Sequence, residues 1–163
     1  MFRGSMRALI ETAVMFLACA TAQAAVTFTC SVTANGINFG TYNPLNTGAD
    51  TAAGTYLVTC NAVGSGSATV DGTLSMNTGS SGKFSTRTLM SGTSKLNYNI
   101  YLTPSYTQIL GDGTAGTFQE SASGTVTAGQ VYQVGGSFYG MVPSGQDVSP
   151  GGYSDTIVIT VAY

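Results

Sequence analysis

From Ile157 to Tyr163 the chain alternates without a break. Ile157, Ile159, Val161 and Tyr163 point one way; Val158, Thr160 and Ala162 point the other. Period-two alternation of β-branched residues predicts a strand with one strongly apolar face. The strand runs to the end of the sequence, so no later segment is expected to pair with it. At a sheet edge it leaves backbone donors and acceptors open beside an apolar face that needs a cover. Such an edge is either hidden internally or receives a strand from another molecule.

The same period recurs along the chain. Alternation predicts strands over residues 25–34, where Val26, Phe28, Cys30 and Val32 share a face, and over 37–39, 55–60, 68–76, 84–90, 96–102, 107–110 and 130–142. A weaker strand is read at 124–127. Asn35-Gly36 is a strong turn signal, and residues 45–53 read as a polar loop. Gly72 and Gly135-Gly136 fall inside strands and suggest bulges. After the N-terminal segment no window shows helical periodicity. About nine short strands with frequent turn signals predict a single antiparallel β-sandwich over residues 25–163.

Residues 1–24 read as a signal peptide. Arg3 and Arg7 precede a short apolar stretch, Thr12 to Ala20, and Ala22-Gln23-Ala24 fits a small-residue cleavage site. Export removes Cys19 and leaves Cys30 and Cys60 as an even pair in an oxidising compartment, so a disulfide is expected, the alternative being two buried thiols. The remaining chain carries Lys83, Arg87 and Lys95 against six acids. With no basic patch, nucleic acid is not an expected partner. No stretch of the mature chain is apolar enough for a membrane span.

Catalytic chemistry finds little to work with. The chain has no histidine, which excludes Ser–His and Cys–His nucleophiles and His-based zinc sites. The acids are scattered singly, so paired-carboxylate catalysis is not expected. Neither an enzyme activity nor a cofactor is predicted. Gly111-Asp112-Gly113-Thr114 offers one carboxylate, which suits a tight turn better than a calcium loop. Arg87, Lys95 and Asp155 read as solvated or locally paired. The many tyrosines suit packing better than a sugar-stacking platform.

Several segments together resemble a known family. Gly36 to Leu45 (GINFGTYNPL), Arg87-Thr88-Leu89-Met90, Leu96-Asn97-Tyr98-Asn99, Gly111-Asp112-Gly113-Thr114 and Phe138 to Tyr163 are similar to the spore coat U domain, a family that includes subunits of archaic chaperone–usher pili such as the Csu pilus. Cys30 and Cys60 match the family's disulfide in position. Met141 stands where an Arg is common, and Leu110 where an aromatic is common.

The resemblance implies an immunoglobulin-like sandwich lacking its last strand. It implies a periplasmic pilus chaperone that lends a strand, an outer-membrane usher, and a neighbouring pilus subunit that replaces the lent strand. Ile157, Ile159, Val161 and Tyr163 are then expected in the wall of the acceptor groove. Only Ala25 to Thr29 precede Cys30 after cleavage, shorter than the donor segment of polymerising subunits, which points to a tip or terminal position. Tip adhesins of that class carry a second, pilin-like domain that is absent here. Tyr42, Leu45, Tyr106, Ile109 and Leu110 are candidate surface-contact residues. The competing readings are a secreted coat protein and a self-contained carbohydrate-binding sandwich.

Overall fold

The computed structural model describes residues 25–163; the predicted signal peptide and its cleavage site lie outside the described residues. Within them the alternating segments become eight strands: β1 (Thr27–Asn35), β2 (Asp50–Val63), β3 (Ser67–Met76), β4 (Arg87–Ser91), β5 (Ser94–Tyr101), β6 (Glu120–Thr127), β7 (Val131–Val142) and β8 (Ile159–Ala162), with one 3-10 turn at Gly79–Ser81. Every ladder between them is antiparallel. One sheet has the order β1-β2-β7-β5-β4 and the other β6-β3-β8.

Period two explains what lies between the sheets. Tyr56, Val58, Cys60 and Ala62 of β2 are buried, as are Leu96, Tyr98 and Ile100 of β5. Val70, Leu74 and Met76 of β3 meet them from the other sheet. Their neighbours Thr55, Asn61 and Thr69 face solvent. The predicted all-β sandwich is therefore the observed architecture.

Several boundaries differ from the sequence reading, for identifiable reasons. The β2 strand starts at Asp50, inside the predicted loop, because Gly54 pairs with Phe138 and an added Cβ would strike its ring. The β7 strand has no bulge: Gly135 and Gly136 stay in register with Leu57 and Tyr56. A Cβ on Gly136 would lie 2.6 Å from the Tyr56 hydroxyl, so glycine here admits a ring, with no extra residue in the ladder. Gly72 likewise sits opposite Ala122 in an unbroken register. Residues 107–110 form isolated bridges, Tyr101 with Ile109 and Leu110 with Phe118, in place of a strand. Residues 37–39 join no ladder.

Candidate functional site: an open groove between two sheet edges

The edge strands β1 and β8 belong to different sheets and meet on the same side of the sandwich. Ladder phase shows which of their backbone groups point outward. Cys30 and Cys60 are direct partners with Cα atoms 4.0 Å apart, joined by a disulfide. That close spacing marks a non-hydrogen-bonded pair. The N–H and C=O of Cys30 therefore point away from β2, as do those of Phe28, Val32 and Ala34 in the same phase.

The phase of β8 comes from the residue ahead of it. Asn77 donates its backbone N–H to the Val158 carbonyl at 3.1 Å, and Val158 donates its own to Asn77 Oδ1 at 3.0 Å. Val158, Thr160 and Ala162 thus turn their backbone toward β3, and Ile157, Ile159 and Val161 turn theirs to the open side. The side chains of those three are half-buried and pack against the core. Open backbone groups and inward apolar side chains coincide on the same residues.

Beyond β1, residues 36–42 continue the first lip. Ile37 and Phe39 lean inward over Gly140, where a Cβ would collide with both, and Phe39 stands edge-on to Tyr98 at 5.9 Å. The second lip is residues 153–163. At one end the lips touch: the Phe28 and Tyr163 rings are 5.5 Å apart, and Cys30 N–H donates to the Tyr163 hydroxyl at 3.1 Å. Farther along they part. A cavity of about 270 Å³ opens between Ile37, Phe138, Ile157 and Ile159. Next to it, a cavity of about 710 Å³ separates Phe39 and Tyr42 from Val148 and Tyr153.

A polar cluster fixes the second lip where it crosses between sheets. Ser154 and Met90 of β4 exchange two backbone hydrogen bonds, at 2.8 and 3.0 Å. Asp155 Oδ1 accepts from the Ser80 N–H at 2.8 Å and its hydroxyl at 2.6 Å, and Oδ2 accepts from the Tyr98 hydroxyl at 2.8 Å. Burial, reinforced by that carboxylate, pushes the Tyr98 phenol well above its ordinary pKa. Arg87 is 0 % exposed. It donates to the Asn77 carbonyl at 3.1 and 2.8 Å, the Leu110 carbonyl at 2.7 Å and Asn99 Oδ1 at 2.7 Å. Burial lowers its pKa, while Tyr98 and Asp155 nearby pull it back up. Of the two readings of Arg87, local pairing holds and solvation does not.

The structure brings some predicted site residues together and scatters others. Ile157, Ile159 and Val161 line one lip, and Tyr163, 53 % exposed, stands at its end. Cys30 and Cys60 form the expected disulfide. Leu45 is 87 % exposed. Tyr42 is tied into the groove wall, its hydroxyl accepting from Gln146 N–H at 2.7 Å and donating to the Pro143 carbonyl at 3.2 Å. Tyr106 packs edge-on against Tyr101 at 5.5 Å, and Ile109 is half-buried. Leu110 corrects the sequence reading. At 1 % exposure it belongs to the core, drawn in because its N–H donates to the Ile100 carbonyl and its carbonyl accepts from Arg87.

Asp112 makes the expected tight turn, its Oδ1 accepting from the Thr114 N–H and hydroxyl at 2.9 and 2.6 Å. Those bonds hold its carboxyl below the usual range. Among the described residues no three metal-ligating side chains cluster, and no helix is long and apolar enough to cross a membrane. Sequence reasoning missed Ile37 and Phe39 as groove residues. The Ile37-Asn38-Phe39 alternation was visible, but it was read as a strand and not as a lip.

The sequence model of the Spore Coat Protein U domain matches residues 16–160. No curated protein matches the chain. Among solved structures it is similar to a chain in the crystal structure of the CsuC–CsuE chaperone–tip adhesion subunit pre-assembly complex from the archaic chaperone-usher Csu pili of Acinetobacter baumannii. The TM-score is 0.56 and the identity 20 %, over 84 % of this chain and 40 % of that one. That likeness is one of fold, and the chain spans less than half the length of its structural neighbour.

Proposed function

Because the chain belongs to the Spore Coat Protein U domain family, we propose that it is a structural and adhesive subunit of a chaperone–usher surface fibre. In this reading the groove between β1 and β8 takes a strand lent by a periplasmic chaperone and later one from a neighbouring subunit. The observation that carries it is the pair of facing rows: Val32 and Ala34 on one lip, Ile157, Ile159 and Val161 on the other, each turning backbone groups outward over apolar side chains. Only an extended backbone offers alternating donors and acceptors to both rows at once, while its alternate side chains fill the apolar floor. The structural neighbour, a chaperone–subunit complex by its description, lends further support.

On this reading residues 1–24 direct export, the usher secretes the subunit, and the fibre serves attachment and biofilm formation. A tip position belongs to the same proposal: with cleavage after Ala24, only Ala25 and Val26 precede β1 at Thr27. N-terminal sequencing of the fibre-borne protein tests that part. The reading assigns no catalysis and no cofactor.

The deciding experiment is periplasmic expression with and without a cognate chaperone, followed by addition of a donor peptide. Soluble protein only with the chaperone, and a far more heat-resistant complex with the peptide, is the expected result. A stable monomer that ignores the peptide would favour a coat protein or a carbohydrate-binding sandwich.

A further inference from the structure

The groove has one closed end, and a single side chain closes it. Tyr163 lays its ring against Phe28 and its hydroxyl on the N–H of Cys30. That N–H belongs to the outward row of β1, the row an inserted strand would use. The phenol oxygen therefore stands where the carbonyl of an inserted strand would otherwise stand. Behind it the space between the sheets narrows to an apolar cavity of about 40 Å³ walled by Val161, Val134 and the disulfide, too small for a bulky side chain. Toward Tyr153 the same groove opens into much larger cavities.

We infer that Tyr163 is the stop that sets the register of whatever strand occupies the groove. This rests on the strand-acceptor reading above and adds to it a length and an end. An inserted strand pairs along Tyr153 to Val161 and ends before Cys30. At about 3.3 Å per residue that stretch measures roughly 25–30 Å, room for about eight or nine extended residues. A one-residue slip would turn the strand's apolar side chains away from the floor. A fixed end therefore selects which residues of the partner are buried. The widening toward Tyr153 places the partner's larger side chains at that end and its smallest beside Val161.

The test uses the full exported chain, refolded with synthetic peptides of alternating isoleucine and threonine carrying a lysine tail. Their alternating stretches run to about seven, nine, eleven and thirteen residues, bracketing the length estimated above. Thermal unfolding and exchange of the Cys30 amide are read for wild type, Tyr163→Phe and Tyr163→Ala. In wild type the gain in Tm rises to about nine residues and then stays level. In Tyr163→Ala it keeps rising with the longer peptides. In Tyr163→Phe the ring and the plateau remain, while the Cys30 amide of the free chain exchanges several-fold faster for want of its acceptor. The same plateau in Tyr163→Ala, or unchanged Cys30 exchange in Tyr163→Phe, overturns the stop while leaving the groove. If no peptide stabilises any of the three proteins, the strand-acceptor reading falls and the stop falls with it. If the alanine variant does not refold, unchanged Cys30 exchange in Tyr163→Phe, or a gain in wild-type Tm that keeps rising past about nine residues, still overturns the stop.

Discussion

The Tyr98 hydroxyl donates to Asp155 Oδ2 at 2.8 Å, pinning the C-terminal segment where it leaves one sheet for the other. Three residues, Asp155 to Ile157, make the crossing. Ser154 is still bonded to β4, and by Val158 the chain is bonded to Asn77 at the end of β3. The Leu96-Asn97-Tyr98-Asn99 segment is thus more than a strand. Tyr98 holds Asp155, and Asn99 accepts from Arg87 while donating to the Phe84 and Ser85 carbonyls.

Alkali should expose the cost of burying that phenol. Burial first, and Asp155 second, raise the Tyr98 pKa in the folded chain, and burial raises Tyr56 and Tyr101 as well. Below about pH 10 both folded and unfolded chains keep these protons, and the stability is fully present. Above it the unfolded chain releases protons that the folded chain retains, so stability falls as pH rises. Urea midpoints measured from about pH 8 to 11 should be level and then drop. Tyr98→Phe should start about 1–2 kcal/mol lower, for the lost hydrogen bond, and drop less steeply. An unchanged slope would remove Tyr98 as the cause.

Arg87 should tolerate little. Replacing it with Met keeps the bulk but leaves the Asn77 and Leu110 carbonyls without their donor and Asn99 Oδ1 with only the Ile100 N–H. A loss of about 3–5 kcal/mol in urea unfolding is expected. Arg87→Lys should recover only part of it, because one ammonium cannot reach all three acceptors. Full recovery by lysine would mean that the charge matters and the fork does not.

The disulfide closes a loop across a sequence separation of 30 residues. Replacing both cysteines with serine should cost roughly 3–4 kcal/mol on the chain-entropy account. Because Cys30 lies on the β1 lip, the same change should also weaken capture of a donor peptide. Urea midpoints with and without reductant check the first point, and peptide titration the second. A variant as stable as wild type would show that the β1–β2 ladder alone holds the edge.

The apolar face of the second lip is tested by a pair of neighbours. Ile159 is half-buried toward the core and Thr160 faces solvent. Ile159→Asp should abolish chaperone-stabilised accumulation in the periplasm, since it places a carboxylate in the apolar floor. Thr160→Asp should leave accumulation near wild type. Immunoblots of periplasmic fractions decide it; equal levels of the two variants would contradict the assignment of the groove face.

Much of this was legible along the chain. The alternation of Ile157, Ile159 and Val161 marks one apolar strand face in the sequence itself, because a strand's two faces are written in neighbouring residues. The glycines misled where they were read alone. Gly136 looked like part of a bulge and Gly54 fell between a predicted loop and a predicted strand, yet each makes room for a ring, Tyr56 or Phe138, on the neighbouring strand. Leu110 looked like a surface residue because its neighbours are turn formers, and the sequence left Arg87 open between solvation and local pairing. Both are buried by partners far away in sequence.

The even pair of cysteines left after Ala24 pointed to their pairing, and the all-β class and the apolar face of the last strand follow from period, since each depends on residues close together in the chain. Which edges face each other does not. Period two divides a strand into two faces but says nothing about its neighbours in space. Only the folded arrangement sets β1 across from β8, buries Arg87 among carbonyls, and closes the groove by bringing the Tyr163 hydroxyl to the Cys30 amide, 133 residues away.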